Sequence, residues 1–416
     1  MKTEIITAGN IDRASEIIRS GGLVAVPTET VYGLAANGLD ASAVEKLYAV
    51  KGRPPVKPMN LMVHGVEAMH RCWSEVPEQA LTLAREFWPG PLTIINSSVP
   101  EIPDIVRAGG ATVGLRCPDH PLTLELLQKC ELPLAAPSAN PSGAPSPKTA
   151  QDVLSYFDGE IDAVIIDGGE CGIGTESSII TLAERPYKLL RKGALGADEI
   201  AACLASGMCI IGLTGGSGTG KTTALNVLRG MGALCIDADE LYHELLGSCT
   251  DMLGEIASRF GEGVCRDGAL DRKALGRIVF ADAGALAELN AITHKYITRE
   301  MLSRLRAHAM GGGTLAALDA VGIFEAGIDR LCSAVFGILA PEEVRVERLL
   351  KREGITREYA LERIRAQKSD TYYMEACTAC IVNDGTADEF AAKCEAAFKE
   401  VIKNGRKEGL SRRAFL

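Results

Sequence analysis

Apolar residues fall along this chain in two patterns, short unbroken runs and runs spaced three and four apart, and the two alternate almost to its end. The first pattern predicts buried strands and the second predicts the helices that cover them. Ile11 to Ser20 has helical spacing, stopped by Gly21-Gly22, and Leu23 to Val26 then reads as a buried strand. Pro27 to Leu34 reads as a polar loop at that strand's carboxyl end, where ligands sit in open α/β sheets. A helix is expected from Ala41 to Val50, followed by a proline-rich loop that carries Lys51, Arg53 and Lys57. Trp88 to Thr93 is a turn entering a strand. Further strands are expected at Thr112 to Arg116, Pro133 to Ala136, Val164 to Asp167 and Ser178 to Ile180, and Leu189 to Gly193 ends the half.

The same alternation resumes after a short helix within Ala194 to Gly207. Cys209 to Leu213, Ala233 to Ile236, Leu315 to Asp319 and Ala334 to Leu339 read as strands, with Ile381 to Gly385 as a last strand and turn. Leu270 to Arg306 reads as a long helical region. Arg345 to Lys368 reads as an arginine-rich helical segment. On pattern alone that segment is a solvated face with i,i+4 pairs.

Composition narrows the picture. With 416 residues, 47% hydrophobic and 24% charged, the chain has room for two domains with real cores. Thirteen cysteines, an odd number at irregular spacing, predict reduced and mostly buried thiols in a cytoplasmic protein. Cys377 and Cys380 form a C-x-x-C with no second pair, which predicts packing rather than zinc or redox chemistry. Neither a signal peptide nor a membrane span is expected. Before residue 207 there are 17 lysines and arginines against 25 aspartates and glutamates, and 27 against 29 after it. Neither half has the basic surplus of a protein that holds nucleic acid by its backbone, so stable nucleic-acid binding is not expected.

Chemistry is densest from Cys209 to Leu225. An apolar strand runs into Gly215, Gly216, Ser217, Gly218, Thr219, Gly220, Lys221, Thr222 and Thr223, and then into helix formers. That is the order of a P-loop, in which glycines let backbone N–H groups close around phosphate oxygens. Lys221 is expected on the β- and γ-phosphates, and the Thr222 hydroxyl on Mg²⁺. The next strand delivers Asp237-Ala238-Asp239 to its carboxyl end. The pair can cap the following helix, since Asp239 precedes E-L-Y-H-E-L, and can supply a general base beside the γ-phosphate, the two roles falling to different residues. In a kinase of this kind an arginine-rich segment after the fourth strand closes over the phosphates as a lid.

In the first half, P-T-E-T-V-Y-G-L, K-G-R-P, W-P-G-P-L-T, V-G-L-R-C-P-D-H-P, P-S-A-N-P-S-G and L-L-R-K-G stand in that order. From about Gly9 to Asp198 the chain resembles the YrdC-like threonylcarbamoyl-AMP synthases. The resemblance implies a twisted α/β sheet around a positively charged cavity, and a reaction of L-threonine, bicarbonate and ATP. It places Lys51, Arg53, Lys57 and Arg191 on ATP, with Thr112, Ser138, Asn140 and Ser146 as hydrogen-bonding partners. Thr30, Arg116, Ala136 and Ser177 would hold threonine. Cations in a water-excluding cleft suit this chemistry, because several anions must be crowded together. Ser178 stands where the family commonly has threonine. A separate transferase system would pass the product's group to an adenosine of tRNA.

In the second half, the P-loop, I-D-A-D-E-L, L-D-R-K-A-L-G-R-I-V-F, L-N-A-I-T-H and I-V-N-D-G resemble the dephospho-CoA kinase family across about Met208 to Lys399. Carried over, Asp239 takes the proton of the substrate's ribose 3′-hydroxyl and Arg348 or Arg352 clamps the transferring group. Dephospho-CoA would lie near His294. The family's D-x-P-L-L-F-E is Asp319-Ala320-Val321-Gly322-Ile323-Phe324-Glu325 here, and its H-P is His294-Lys295.

The expectation is therefore a bifunctional α/β chain. A YrdC-like twisted-sheet domain spans residues 1–200. A P-loop kinase domain with a parallel sheet and helical lid spans 207–403, and residues 404–416 form a basic tail. Both domains would use ATP and Mg²⁺. The alternative is an RNA-binding YrdC-like module fused to a nucleoside or nucleotide kinase.

Overall fold

A computed structural model describes residues 2–266, 269–404 and 415–416. Its contacts divide into two compact units, Met1–Leu204 and Ala205–Leu416. Most of the expected tail, 405–414, lies outside the described residues.

Unit 1 is built on a ten-stranded mixed sheet. Its strands are β1 (Glu4–Ile6), β2 (Val24–Val26), β3 (Gly33–Asn37), β4 (Asn60–Met62), β5 (Leu92–Ser97), β6 (Thr112–Arg116), β7 (Leu134–Ala135), β8 (Ala163–Ile165), β9 (Ser178–Thr181) and β10 (Lys188–Arg191). They stand in the order β1-β8-β2-β3-β7-β4-β6-β5-β9-β10. Val24, Val26, Ala35, Leu134, Ala163 and Ile165 bury one face beneath helices Ile11–Arg19 and Pro121–Cys130, whose Ile11, Ile18, Leu126 and Leu127 pack against them. Central strands buried on both faces read as unbroken apolar runs, which is why the pattern exposed them.

Two details differ from the sequence reading. The loop expected through Leu34 ends earlier, because Gly33 already pairs with Val26 in an antiparallel hairpin. Lys51 is not a loop residue but the last residue of helix Ala41–Lys51, buried, with Gly52 in the left-handed conformation closing the helix. Asp40 caps the start of that helix, its side chain accepting from the N–H groups of Ser42 and Ala43.

Unit 2 holds β11 (Cys209–Thr214), β12 (Leu234–Asp237), the antiparallel pair β13 (Cys265–Arg266) and β14 (Ala269–Leu270), β15 (Leu315–Asp319), β16 (Ala334–Leu339) and β17 (Ala379–Val382). Five of them form an all-parallel sheet in the order β12-β15-β11-β16-β17. Parallel neighbours need crossover connections, which the intervening helices supply. Ile211, Leu213, Phe336 and Ile338 pack against Leu225 and Leu228 of helix Lys221–Gly230 and Phe390 and Phe398 of helix Ala387–Asn404. A second core lies among helices Ala238–Ser248, Thr250–Phe260, Arg272–Val279 and the long Ala283–Met310.

All thirteen cysteines are free thiols and none is exposed. A Cβ at Gly337 would meet the sulfurs of both Cys377 and Cys380, so this pair packs against β16. Burial pushes the Cys377 thiol up to about 12. No helix among the described residues is long and apolar enough to cross a membrane.

Candidate active sites

In unit 1, β4, the carboxyl ends of β6 and β10, the loops after β2 and β7 and the loop before β9 surround a cavity of about 120 Å³. Arg53, Arg116, Ala136, Ser138, Ser177 and Arg191 line it, together with Asn60, Thr93 and Glu176. Arg116 ends β6 almost fully buried. Its Nη2 donates to Thr30 Oγ1 and to the Glu29 carboxylate, each at 2.8 Å, and its Nε donates to Gly90 O at 3.2 Å. Arg191 ends β10 and donates to the carbonyl and hydroxyl of Ser177 and to the Glu176 carboxylate. Arg53 donates to the carbonyls of Lys57 and Pro58, which folds the proline-rich loop around its guanidinium.

Electrostatics makes this cavity a place for anions. Burial, opposed in part by Glu176, lowers the Arg191 pKa, and burial together with the Arg53 charge brings Lys51 down to about 8. Lys51 Nζ donates to the carbonyls of Ser138 and Asn140. It therefore ties the P-S-A-N turn to its helix rather than lining the cavity. Asn140 donates to the carbonyls of Pro141 and Ala144, and its buried Oδ1 accepts from nothing among the described residues. Ser146 donates to Glu176 at 3.1 Å. Thr112 starts β6 opposite Ser97, four residues and so about 13 Å along the strand from Arg116. Lys57 points to solvent. These last two lie outside the cavity wall. Glu29 and Glu176, the acids that face its arginines, are not singled out by the sequence reading; their signal is only adjacency to Thr30 and Ser177.

In unit 2, the turn after β11 carries the P-loop. Gly215, Gly218 and Gly220 take positive φ, and a Cβ at Gly215 would stand 2.4 Å from the carbonyl oxygen of Ile338. A cleft of about 750 Å³ is lined by Gly216, Ser217, Gly218, Gly220, Lys221, Thr222 and Thr223, by Asp237, Asp239 and Asp319, and by Arg348, Arg352 and Arg363. The cap of helix Ala238–Ser248 is Asp237, not Asp239, because the helix already starts at Ala238; Asp237 accepts from the N–H groups of Asp239 and Glu240. That leaves the Asp239 carboxylate to the cleft. Register pairs Asp237 with Asp319 across β12 and β15. Burial, opposed by Lys221 and reinforced by Asp237 and Asp239, raises Asp319 to about 7.

The arginines of the lid segment divide in two. Arg345 is buried; its Nε donates to Ser217 O and its Nη2 to Gln367 Oε1, both at 3.0 Å. Gln367 also accepts from Ser217 N–H and donates to Ser217 Oγ, each at 2.8 Å. Arg348 donates to the carbonyls of Gly218 and Thr219 and to Asn383, whose own amide donates to Thr219 O at 2.8 Å. Arg345 and Arg348 thus hold the phosphate loop itself, which the expectation of a closing lid did not foresee. Arg352 and Arg363 instead pair with Glu353 at the surface. Gln367 is not a sequence candidate at all, because nothing local marks a glutamine 150 residues from its partner.

Beside this cleft lies a pocket of about 310 Å³, walled by Ala238, Asp239, Tyr242, Asn290, Thr293, His294, Ile297, Ala320, Val321 and Gly322. Asp239 and Val321 belong to both walls. His294 is half-buried, and burial lowers its pKa. The Ala320-Val321-Gly322 departure lies in this pocket's wall.

The second unit has the parallel sheet and the phosphate loop of the P-loop class, with a second pocket alongside. The first is a mixed-sheet unit whose cation-lined cavity is built for anions. A family model for Sua5, YciO and YrdC, described as telomere recombination, matches residues 16–193, and the dephospho-CoA kinase model matches residues 209–389. Threonylcarbamoyl-AMP synthase of Pyrococcus abyssi is 46% identical over 47% of this chain and 58% of its own length. A putative threonylcarbamoyl-AMP synthase of Mycobacterium tuberculosis is 35% identical over 45% of this chain and 85% of its own. Dephospho-CoA kinase of Moorella thermoacetica is 37% identical over 47% and 94%. The chain spans little more than half the length of the first synthases it matches. Its first half belongs to the threonylcarbamoyl-AMP synthase family and its second half to the dephospho-CoA kinase family.

Proposed function

We propose that the chain carries two ATP-dependent activities, in domains of residues 1–200 and 207–403. The first joins L-threonine and bicarbonate as a carbamate with loss of water, and the carbamate oxygen then bonds to the α-phosphorus of ATP as pyrophosphate leaves, giving threonylcarbamoyl-AMP for a tRNA-modifying transferase system in the cytoplasm. The second transfers the γ-phosphoryl group of ATP to the 3′-hydroxyl of dephospho-CoA. Membership of the two families supports both. The observation that carries the second is Asp239, which stands in the shared wall of the phosphate cleft and the acceptor pocket.

From that wall Asp239 takes the acceptor's hydroxyl proton as its oxygen bonds to phosphorus and the β,γ-bridging bond breaks. Lys221 and the P-loop amides hold the phosphates, and Arg352 swings from Glu353 to the transferring group. The Thr222 hydroxyl with Asp237 and Asp319 offers an all-oxygen donor set, the kind Mg²⁺ takes. When bound, that ion would neutralise charge on the β- and γ-phosphates. In the first domain, Arg116 would exchange Glu29 for the carboxylate of threonine, with Thr30, Ala136 and Ser177 around it. Arg53 and Arg191 would meet ATP phosphates, with Lys51 fixing the Ser138–Asn140 turn. No covalent intermediate is required, and positioning would supply most of the rate.

An ATP-product assay on the purified chain tests both. Threonine with bicarbonate is expected to yield AMP and pyrophosphate, abolished by Arg53→Ala and untouched by Lys221→Ala. Dephospho-CoA is expected to yield ADP, with the reverse mutant pattern. Absence of AMP would leave the first half as a binding module, and ADP from another nucleoside in place of dephospho-CoA would make the second half a different kinase.

A further inference from the structure

The acceptor pocket does not end at His294. His294, Thr298 and Ala326 also line a second groove of about 440 Å³, which continues along helix Ala283–Met310 past Lys295, Arg299, Leu302 and Arg306. These positions recur at three- and four-residue steps, so they form one stripe along the helix. From His294 to Arg306 the stripe rises about 18 Å, at 1.5 Å per residue. A groove continuous with the nucleoside pocket and running that far is made for an acceptor with a long extension.

The charge of the stripe says what kind of extension. Lys295 is spent, because its ammonium pairs with Glu255 at 2.8 Å. Glu300, the acid nearest in sequence, is taken by Arg304 at 3.0 Å. Among the described residues no carboxylate reaches Arg299 or Arg306; the guanidinium of Arg299 lies 4.8 Å from the centre of the Tyr296 ring. Two arginines without acid partners, beside a pocket whose own wall is mostly apolar, favour an anionic group there.

We propose that Arg299 and Arg306 form a subsite for the acceptor's arm, Arg299 taking its diphosphate as the arm leaves the nucleoside at His294. This rests on the reading of unit 2 as a kinase of dephospho-CoA and assigns which residues select that acceptor over a bare nucleoside. Arg299 would meet the diphosphate, and Arg306, about 10 Å further along the helix, would donate to the amide carbonyls of the neutral arm beyond it.

The test pairs binding with turnover on the full chain. Calorimetric titration with dephospho-CoA is expected to show about tenfold weaker binding for Arg299→Ala/Arg306→Ala, with most of the loss recovered in Arg299→Lys/Arg306→Lys. In the coupled ADP assay the KM for dephospho-CoA should rise by a similar factor while the KM for ATP stays put, which a damaged fold would not allow. Unchanged binding of dephospho-CoA, or an equal rise in the KM for ATP, overturns the subsite. If the wild type binds dephospho-CoA in an arginine-dependent way but makes no ADP, the kinase reading fails and the subsite stands. If it does not bind, both fail.

Discussion

Asp319 shows how one residue can work for chemistry against the fold. It ends β15 almost fully buried, between Lys221 and the aspartates of the 237–239 turn. Burial is the main reason its pKa is about 7 rather than 3.8. Because the folded value lies above the unfolded one, the native state holds a proton that the unfolded chain releases between about pH 4 and 7. Stability therefore falls as pH rises across that window, by at most about 4 kcal/mol. Asp319→Asn removes the dependence. Its melting temperature relative to wild type is expected to be several degrees more favourable at pH 8 than at pH 4.5, while ADP formation is lost. A difference that is flat with pH would show that Asp319 is ionised throughout. Gly322 makes the opposite case: a Cβ there would find only Glu325 Oε2 within 4 Å, at 3.7 Å. Losing the family's larger residue thus leaves room in the acceptor wall and strains nothing.

At the scale of elements, the phosphate loop was legible because its parts are contiguous: strand, glycines, lysine and helix follow one another in sixteen residues or so. What fixes that loop was not legible. Arg345 reaches it from helix Glu342–Glu353, Gln367 from the bend after helix Arg357–Arg365 and Asn383 from just past β17, all far along the chain, and local pattern carries no trace of such pairings. The same holds in unit 1, where Arg116 and Arg191 could be named but their acids Glu29 and Glu176 could not. Strands β2, β6 and β9 were readable as buried runs; the hairpin partner β3 was hidden by a polar motif that runs straight into it. The Arg345 brace predicts a measurable coupling between element and loop. Arg345→Met leaves the Ser217 carbonyl and Gln367 short of a donor, and should cost about 2 to 4 kcal/mol in unit 2 and raise the KM for ATP. Gly216→Ala should act likewise, because its Cβ would stand 2.3 Å from Arg345 Nη2. If either variant keeps the wild-type KM for ATP, the brace is not what shapes the loop.

At the scale of the molecule, the two units carry separate cores and unequal reporters. The chain has two tryptophans, and both lie in unit 1. Trp73 donates to Val113 O at 3.0 Å and Trp88 to Leu92 O at 2.8 Å. Tryptophan emission should therefore follow the unfolding of unit 1 alone, and far-ultraviolet dichroism both. L-threonine with a non-hydrolysable ATP analogue is expected to raise the emission midpoint, and dephospho-CoA to raise only a transition seen by dichroism. An emission midpoint that moves with dephospho-CoA would contradict the assignment of substrates to units.

The strand order of the second sheet also bears on how the chain is made. Neither β11 nor β12 pairs with the other; both pair with β15, which begins about a hundred residues after β11. On a ribosome adding 5 to 20 residues per second, the apolar Cys209–Thr214 segment waits roughly 5 to 20 s for its first neighbour. The sheet of unit 1 needs nothing beyond Arg191 and can close first. Nascent unit 2 is then a natural client for a holding chaperone until Leu315–Asp319 emerges, and a pause in translation ahead of that strand would lengthen its exposure.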